Sequence, residues 1–225
     1  MLEYQIPFRF IRLSPSHNDP FYPNYIISSM DECGVFLCTH GEVRVSIEEK
    51  VYQIRQGDMF VYMPSSPLRL LQKSKDAEGL LVALDVDFML PIVQRVVNAE
   101  NLLCIRRHPF FSLAEDKYTY IRSMFENLWT RIYEGDKEQK GFLQQRLQIE
   151  LVKSMVQTLT YEVLGIYFSQ LPIQPMAETK KDLIFHRFLL SLFQHFRRER
   201  EVAFYAELQH LSPRYFSSII KDKSG

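Results

Sequence analysis

The chain has 225 residues, 46% of them hydrophobic and 24% charged. That composition excludes a disordered or fibrous polypeptide and allows one large or two small globular domains. Its 27 Lys and Arg balance 27 Asp and Glu, so the cationic excess that lets a complete nucleic-acid-binding protein displace phosphate counterions is missing or lies in an absent basic segment.

The opening MLEYQIPFRF carries Glu3 and Arg9 and has no apolar core of signal-peptide length, and no apolar run is long enough to span a bilayer. The three cysteines, Cys33, Cys38 and Cys104, form an odd, sparse set that suits a reducing compartment. The expectation is a cytoplasmic protein with no membrane partner.

From residue 1 to about residue 111 the pattern is that of β-structure. The runs YIISSM, GVFLCT, EVRVSI, KVYQI, DMFVYM, RLLQK and GLLVALDV are rich in β-branched and aromatic residues. Within EVRVSI, Val43, Val45 and Ile47 recur at period two, as on a half-buried strand. Gly41, Glu48-Glu49, Gln56-Gly57-Asp58 and Pro64-Ser65-Ser66-Pro67 mark turns. Many short strands at close spacing predict a sandwich or barrel. Cys33, Cys38 and His40 offer metal-ligand atoms close in sequence, but no tetrahedral set is complete. As small apolar residues the cysteines also suit a core.

From about residue 115 the period becomes helical, with Ile121, Met124, Phe125, Leu128 and Ile132 on one face and Gly135 placed to end the helix. A second helix is predicted over 138–167. Its polar stripe, Arg146, Glu150, Lys153 and Gln157, is narrow. Leu143, Leu147, Leu151 and Met155 form one flank and Val152, Val156, Leu159 and Val163 another, a wider apolar arc than one packing partner needs. One flank suits the β-domain and the other a second subunit.

The stretch 169–182, with two prolines and several charges, reads as a linker. A third helix follows, with Phe185, Phe188, Leu189, Leu192, Phe193 and Phe196 on one face, ending in Arg197-Arg198-Glu199-Arg200. The last stretch has the form helix, turn, helix: Val202–Gln209, a tight connection at Gln209-His210-Leu211, then a helix from Pro213 to about Asp222, with Ser212 as N-cap and Pro213 at the first helical position. Ala206 allows close approach of the two helices. Phe216, Ile219 and Ile220 form the inward face. Arg214, Ser217, Ser218 and Lys221 fall at i, i+3, i+4 and i+7 on a small, polar, basic outward face, with Tyr215 beside it. Small serines let a helix enter the major groove, and Arg214 has the geometry to pair with guanine or phosphate. Two short amphipathic helices around a capped junction are also common in ordinary all-α regions, and this turn lacks the frequent glycine.

Ala206, Ser212, Tyr215, Phe216, Ile220, Lys221 and Gly225 stand where AraC/XylS-family transcription regulators carry an A…S…Y-L…F-K…G pattern, with Phe216 for the usual leucine and Ile220 for the usual phenylalanine. Gly41, Gly57-Asp58 and Pro64 are similar to turns of that family's cupin-like sensing barrel. The resemblance, strong near the C-terminus and loose in the barrel, implies an α+β chain: a cupin-like β-barrel over 1–111, a helical dimerisation region over 112–168, the linker, and a partial helix-turn-helix domain over 183–225. The family's second helix-turn-helix unit is absent from these 225 residues. The function implied is that of a sequence-specific DNA-binding regulator, a homodimer responsive to a small-molecule effector, with DNA-binding residues Arg214, Tyr215, Ser217, Ser218 and Lys221 and no enzymatic activity or cofactor. The resemblance also casts the aromatic segment holding Phe8, Phe10, Phe21, Tyr22 and Tyr25 as an arm or lid over the barrel; the same residues suit a plain core.

Cupin barrels also make metal-dependent enzymes, which need about three histidines and a carboxylate around one ion. The histidines that pattern places near 28–30 and near Leu68 are missing, and His17 and His40 stand alone. A metal-dependent enzyme and a dimeric interaction module without DNA binding are the competing readings.

Overall fold

The computed structural model describes residues 7–15, 32–47, 50–64, 68–134, 141–170, 179–196 and 198–224. The run YIISSM, the Glu48-Glu49 turn, His17 and Gly135 lie outside these residues.

The N-terminal half is built from eight strands: β1 (Phe8–Leu13), β2 (Glu32–His40), β3 (Glu42–Ile47), β4 (Lys50–Arg55), β5 (Asp58–Tyr62), β6 (Leu68–Lys73), β7 (Glu78–Asp85) and β8 (Phe110–Ser112). They form two antiparallel sheets, a five-stranded one in the order β1-β7-β2-β5-β8 and a three-stranded one in the order β4-β3-β6. Alternation along β2 sorts its side chains between two cores. Cys33, Val35 and Leu37 face the helices, whereas Phe36 and Cys38 join Val43, Ile54 and Phe60 between the sheets.

Turn chemistry fixes the register. Gly41 (φ 65°) links β2 to β3 and Gly57 (φ 87°) links β4 to β5, both in the left-handed region where a Cβ is strained. Asp58 completes the second turn: its carboxylate accepts the Arg55 N–H at 2.7 Å and the Ser112 hydroxyl at 2.6 Å, tying β8 to the same corner. At Gly34 the demand is steric. The Tyr62 ring, opposite it in the ladder, would lie 2.5 Å from an added Cβ.

The expectation of uninterrupted β-structure to residue 111 is corrected. The strand GLLVALDV stops at Asp85, and α1 (Val86–Val93) and α2 (Ala99–Arg107) follow. Val86, Met89, Leu90 and Val93 are buried at helical spacing, and Asn98 with Asn101 forms a capping box that starts α2. A short apolar run carries either period, and burial on one helical face decided it here.

Two further helices pack on the same side of the five-stranded sheet: α3 (Glu115–Trp129), which runs into a π-helical turn over Thr130–Glu134, and α4 (Phe142–Gln170). Ile121, Phe125 and Leu128 of α3 are buried against Val152, Val156, Leu159 and Val163 of α4 and the sheet. The expected linker is shorter than its composition suggested. Ser169 and Gln170 remain helical, and α5 (Lys180–His195) begins with a capping box in which Thr179 and Asp182 each accept the other's backbone N–H. Helix α5 touches α1 and α2, and its Leu190 packs against the sheet-side core.

Candidate nucleic-acid interface

The last two helices, α6 (Val202–Glu207) and α7 (Pro213–Ser224), form with α5 a separate small core. Tyr205 and Ala206 of α6 and Phe216 and Ile219 of α7 are buried. Phe188 of α5 stands edge-on to both Tyr205 (5.5 Å between centroids) and Phe216 (5.4 Å). Ala206 is fully buried, so any larger side chain there would push α6 and α7 apart.

The connection is made without glycine. His210 adopts φ 55°, the left-handed position that glycine usually fills. The Leu211 and Gln209 N–H groups donate to the Ala206 carbonyl (2.9 and 3.1 Å), and the His210 N–H donates to Glu207 (2.9 Å). The Gln209 side-chain amide donates to the Ile184 carbonyl at 3.2 Å, fastening the turn to α5. Ser212 sits at the start of α7 as expected, although its hydroxyl accepts the Tyr215 N–H only at a long 3.4 Å.

Arg214, Tyr215, Ser217, Ser218 and Lys221 are all exposed on α7, with Tyr215 at the border of the buried face formed by Phe216 and Ile219. Arg214 and Lys221 make no ion pair with any described residue, so both charges point at solvent. The Ser218 hydroxyl donates to the Tyr215 carbonyl at 2.8 Å, so towards a ligand it serves as an acceptor. The other end of α7 is clamped to the start of α5. Lys181 pairs with Asp222 at 2.9 Å and Lys223 with Asp182. Lys223, with the Thr179 hydroxyl and N–H, holds the Asp182 carboxyl well below the usual carboxylate range, and Lys181 lowers Asp222. Sequence reasoning missed this clamp, although the T-x-x-D spacing of its capping box was legible at 179–182.

The β-domain encloses two small cavities. Between the sheets is a cavity of about 30 Å³ lined only by apolar side chains such as Phe36, Ile54, Phe60 and Leu81. A second, of about 60 Å³, lies between the five-stranded sheet and helices α1, α2 and α4. Tyr62 borders it with a fully buried hydroxyl that has no hydrogen-bond partner among the described residues, and burial raises its pKa far above the ordinary phenol value. Phe8 and Phe10 are strand residues, paired with Leu84 and Val82 of β7 and buried in the core, so the arm reading fails for them. Phe21, Tyr22 and Tyr25 lie outside the described residues.

Cys33 and Cys38 face opposite sides of β2 and cannot converge with His40 on one ion. Burial pushes both thiols up to about 12, the behaviour of inert core residues. His40 is exposed and stands 3.4 Å from Asp76. Among the described residues no three His, Cys, Asp or Glu side chains gather in a set able to hold a metal ion.

No family model matches the chain, and no curated protein matches it. Solved structures do. ToxT from Vibrio cholerae O395 aligns over 97% of this chain and 75% of its own, with 8% identity and a TM-score of 0.47. The AraC-like transcriptional activator CuxR aligns over 97% and 69%, with 12% identity and a TM-score of 0.38. A cupin 2 conserved barrel domain protein from Salinispora arenicola aligns over 39% of this chain and 71% of its own, with 12% identity and a TM-score of 0.28. Among the described residues no helix is long and apolar enough to cross a membrane.

Proposed function

We propose that the protein is a DNA-binding transcription regulator in which α7 is the recognition helix of a helix-turn-helix unit. One observation carries the reading. Arg214, Tyr215, Ser217, Ser218 and Lys221 form an exposed face whose one carboxylate, Asp222, is paired with Lys181, while the opposite face of the same helix is locked into a core by Phe216 and Ile219. A rigidly held helix with small hydroxyl residues between two free cations has the shape and charge that major-groove reading requires. Arg214 pairs with a base edge or a phosphate. Lys221 neutralises the backbone.

The two roles separate experimentally. If Arg214 reads a base in two-point contact, Arg214→Ala costs about 1–3 kcal/mol on the cognate duplex and relaxes one position of the site. Lys221→Ala weakens all sequences alike and lowers the salt slope of log K by about one. Selection from a random duplex pool, followed by anisotropy titrations at several salt concentrations, measures both. No enriched sequence and no salt-dependent binding would remove the DNA reading.

Two finer features belong to the same proposal. The chain pairs with a second copy through the exposed flank of α4, and an effector acts on the β-domain. The effector reading is supported by the 60 Å³ cavity between the five-stranded sheet and helices α1, α2 and α4, which Tyr62 borders.

A further inference from the structure

A groove of about 400 Å³ runs beside the recognition helix, far larger than either cavity of the β-domain. Its floor is Phe188 and Leu192 of α5 with Phe216 and Ile220 of α7, and two cations, Arg200 and Lys221, line it as well. Both cations are exposed and without an ion pair among the described residues. Val202, at the first turn of α6, adds an apolar side chain that is 47% exposed. Ser217 also lines the groove, so one edge of it is the edge of the DNA-facing surface.

An apolar trough rimmed by unpaired positive charge is the complement of a helix that carries large apolar residues on one side and carboxylates beside them. Peptide helices in such grooves are held by anchors at i, i+3, i+4 and i+7. A nucleic-acid backbone would satisfy the cations but leave the apolar floor wet, and a bare apolar ligand would leave the cations unanswered. We propose that this groove is the docking site for an acidic amphipathic helix of a partner protein, and that docking there excludes DNA because both ligands need Lys221 and Ser217. The docking site stands on the groove alone; the exclusion rests on the DNA-binding reading given above.

The test uses the full chain and two synthetic helical peptides of about 18 residues, fluorescein-labelled, each with leucines on one face. One is flanked by glutamates and the other by lysines. Only the acidic peptide should bind, and the charge reversal R200E/K221E should weaken it at least tenfold while creating affinity for the lysine peptide. Circular dichroism confirms that the variant is folded. Equal binding of both peptides, binding of neither, or indifference to R200E/K221E overturns the docking site. So does conversion of a dimer to a monomer by R200E/K221E, which would assign the groove to a second copy of this chain. With the wild-type chain on its selected duplex, saturating acidic peptide should displace the DNA, and a stable ternary complex overturns the exclusion. Peptide binding that responds to R200E/K221E in a chain that never binds duplex supports the docking site and counts against the DNA reading instead.

Discussion

Leu147→Ala should weaken self-association by about two orders of magnitude while leaving the fold untouched. On α4, Leu143 is 69% exposed, Leu147 61% and Leu151 42%, and Phe142 beside them 58%, whereas Val152, Val156, Leu159 and Val163 on the other flank are 5% exposed or less. Four large apolar side chains at the free end of one helix form a patch of the kind soluble proteins cover. Leucine to alanine removes three carbons, about 2.4 kcal/mol if fully transferred from water at roughly 0.8 per CH₂. Scaled by the 61% that remains to be buried, the loss is about 1.5 kcal/mol per subunit. A two-fold axis places the change in both halves of the interface, so the total is about 3 kcal/mol, or roughly 150-fold in Kd.

Sedimentation velocity from nanomolar to high micromolar concentration reads the constant directly. Leu147→Glu should abolish the dimer, since it adds a buried charge with no partner. The melting temperature of the monomer should stay where it is, because Leu147 contributes little to the core. A wild-type chain that remains monomeric at high micromolar concentration refutes the interface. A dimer whose Kd changes less than threefold on Leu147→Ala moves it elsewhere on the surface.

Other consequences concern the fold and its helical end. His210→Gly relieves a non-glycine residue at φ 55°; a left-handed L-residue costs about 1–2 kcal/mol and glycine returns part of that as chain entropy, so the net gain is about 0.5–1 kcal/mol in urea unfolding. His210→Val should lose stability instead. Gly34→Ala drives a Cβ to 2.5 Å from the Tyr62 ring between two packed strands and should cost about 1–3 kcal/mol by the same measurement. Asp182 has its carboxyl lowered by Lys223 and Thr179. A lowered carboxyl contributes stability above its unfolded pKa, and that contribution is lost as pH falls through the folded value. The α5–α7 core should therefore loosen in acid. Aromatic near-ultraviolet signal followed below pH 4 should show Asp182→Asn already weakened at neutral pH and less sensitive to further acidification; equal acid sensitivity in both proteins would deny Asp182 this role.

Local pattern made much of this molecule legible. Glycines that must take positive φ announced the turns at Gly41 and Gly57, because no other residue enters that region at so little cost. Runs rich in β-branched and aromatic residues marked most strands, with period two along Val43, Val45 and Ile47, and the i, i+3, i+4, i+7 spacing sorted α7 into a buried face and an exposed one. The width of the apolar arc on α4 likewise exceeded what one packing partner covers, and Leu143, Leu147 and Leu151 are left exposed. What a pattern omits is the partner. Val86–Val93 carries a helical period, but a run that short is also a strand, and only its packing against α4 and β7 decided between them. Phe8 and Phe10 suit an arm or a core equally well, and pairing with β7 made them core.

The sequence by itself determined which residues want water and which do not, and where the chain must turn, since these are properties of side chains and single dihedrals. Distance in sequence hides everything else. Lys181 meets Asp222 and Lys223 meets Asp182 across some forty residues. Arg200, Lys221 and Phe188 come together around one groove from the α5–α6 connection, α7 and α5. The cavity that Tyr62 borders is closed by residues of the sheet and of three helices far apart in the chain. Such juxtapositions follow from how the elements pack, and packing is settled by the whole buried surface at once.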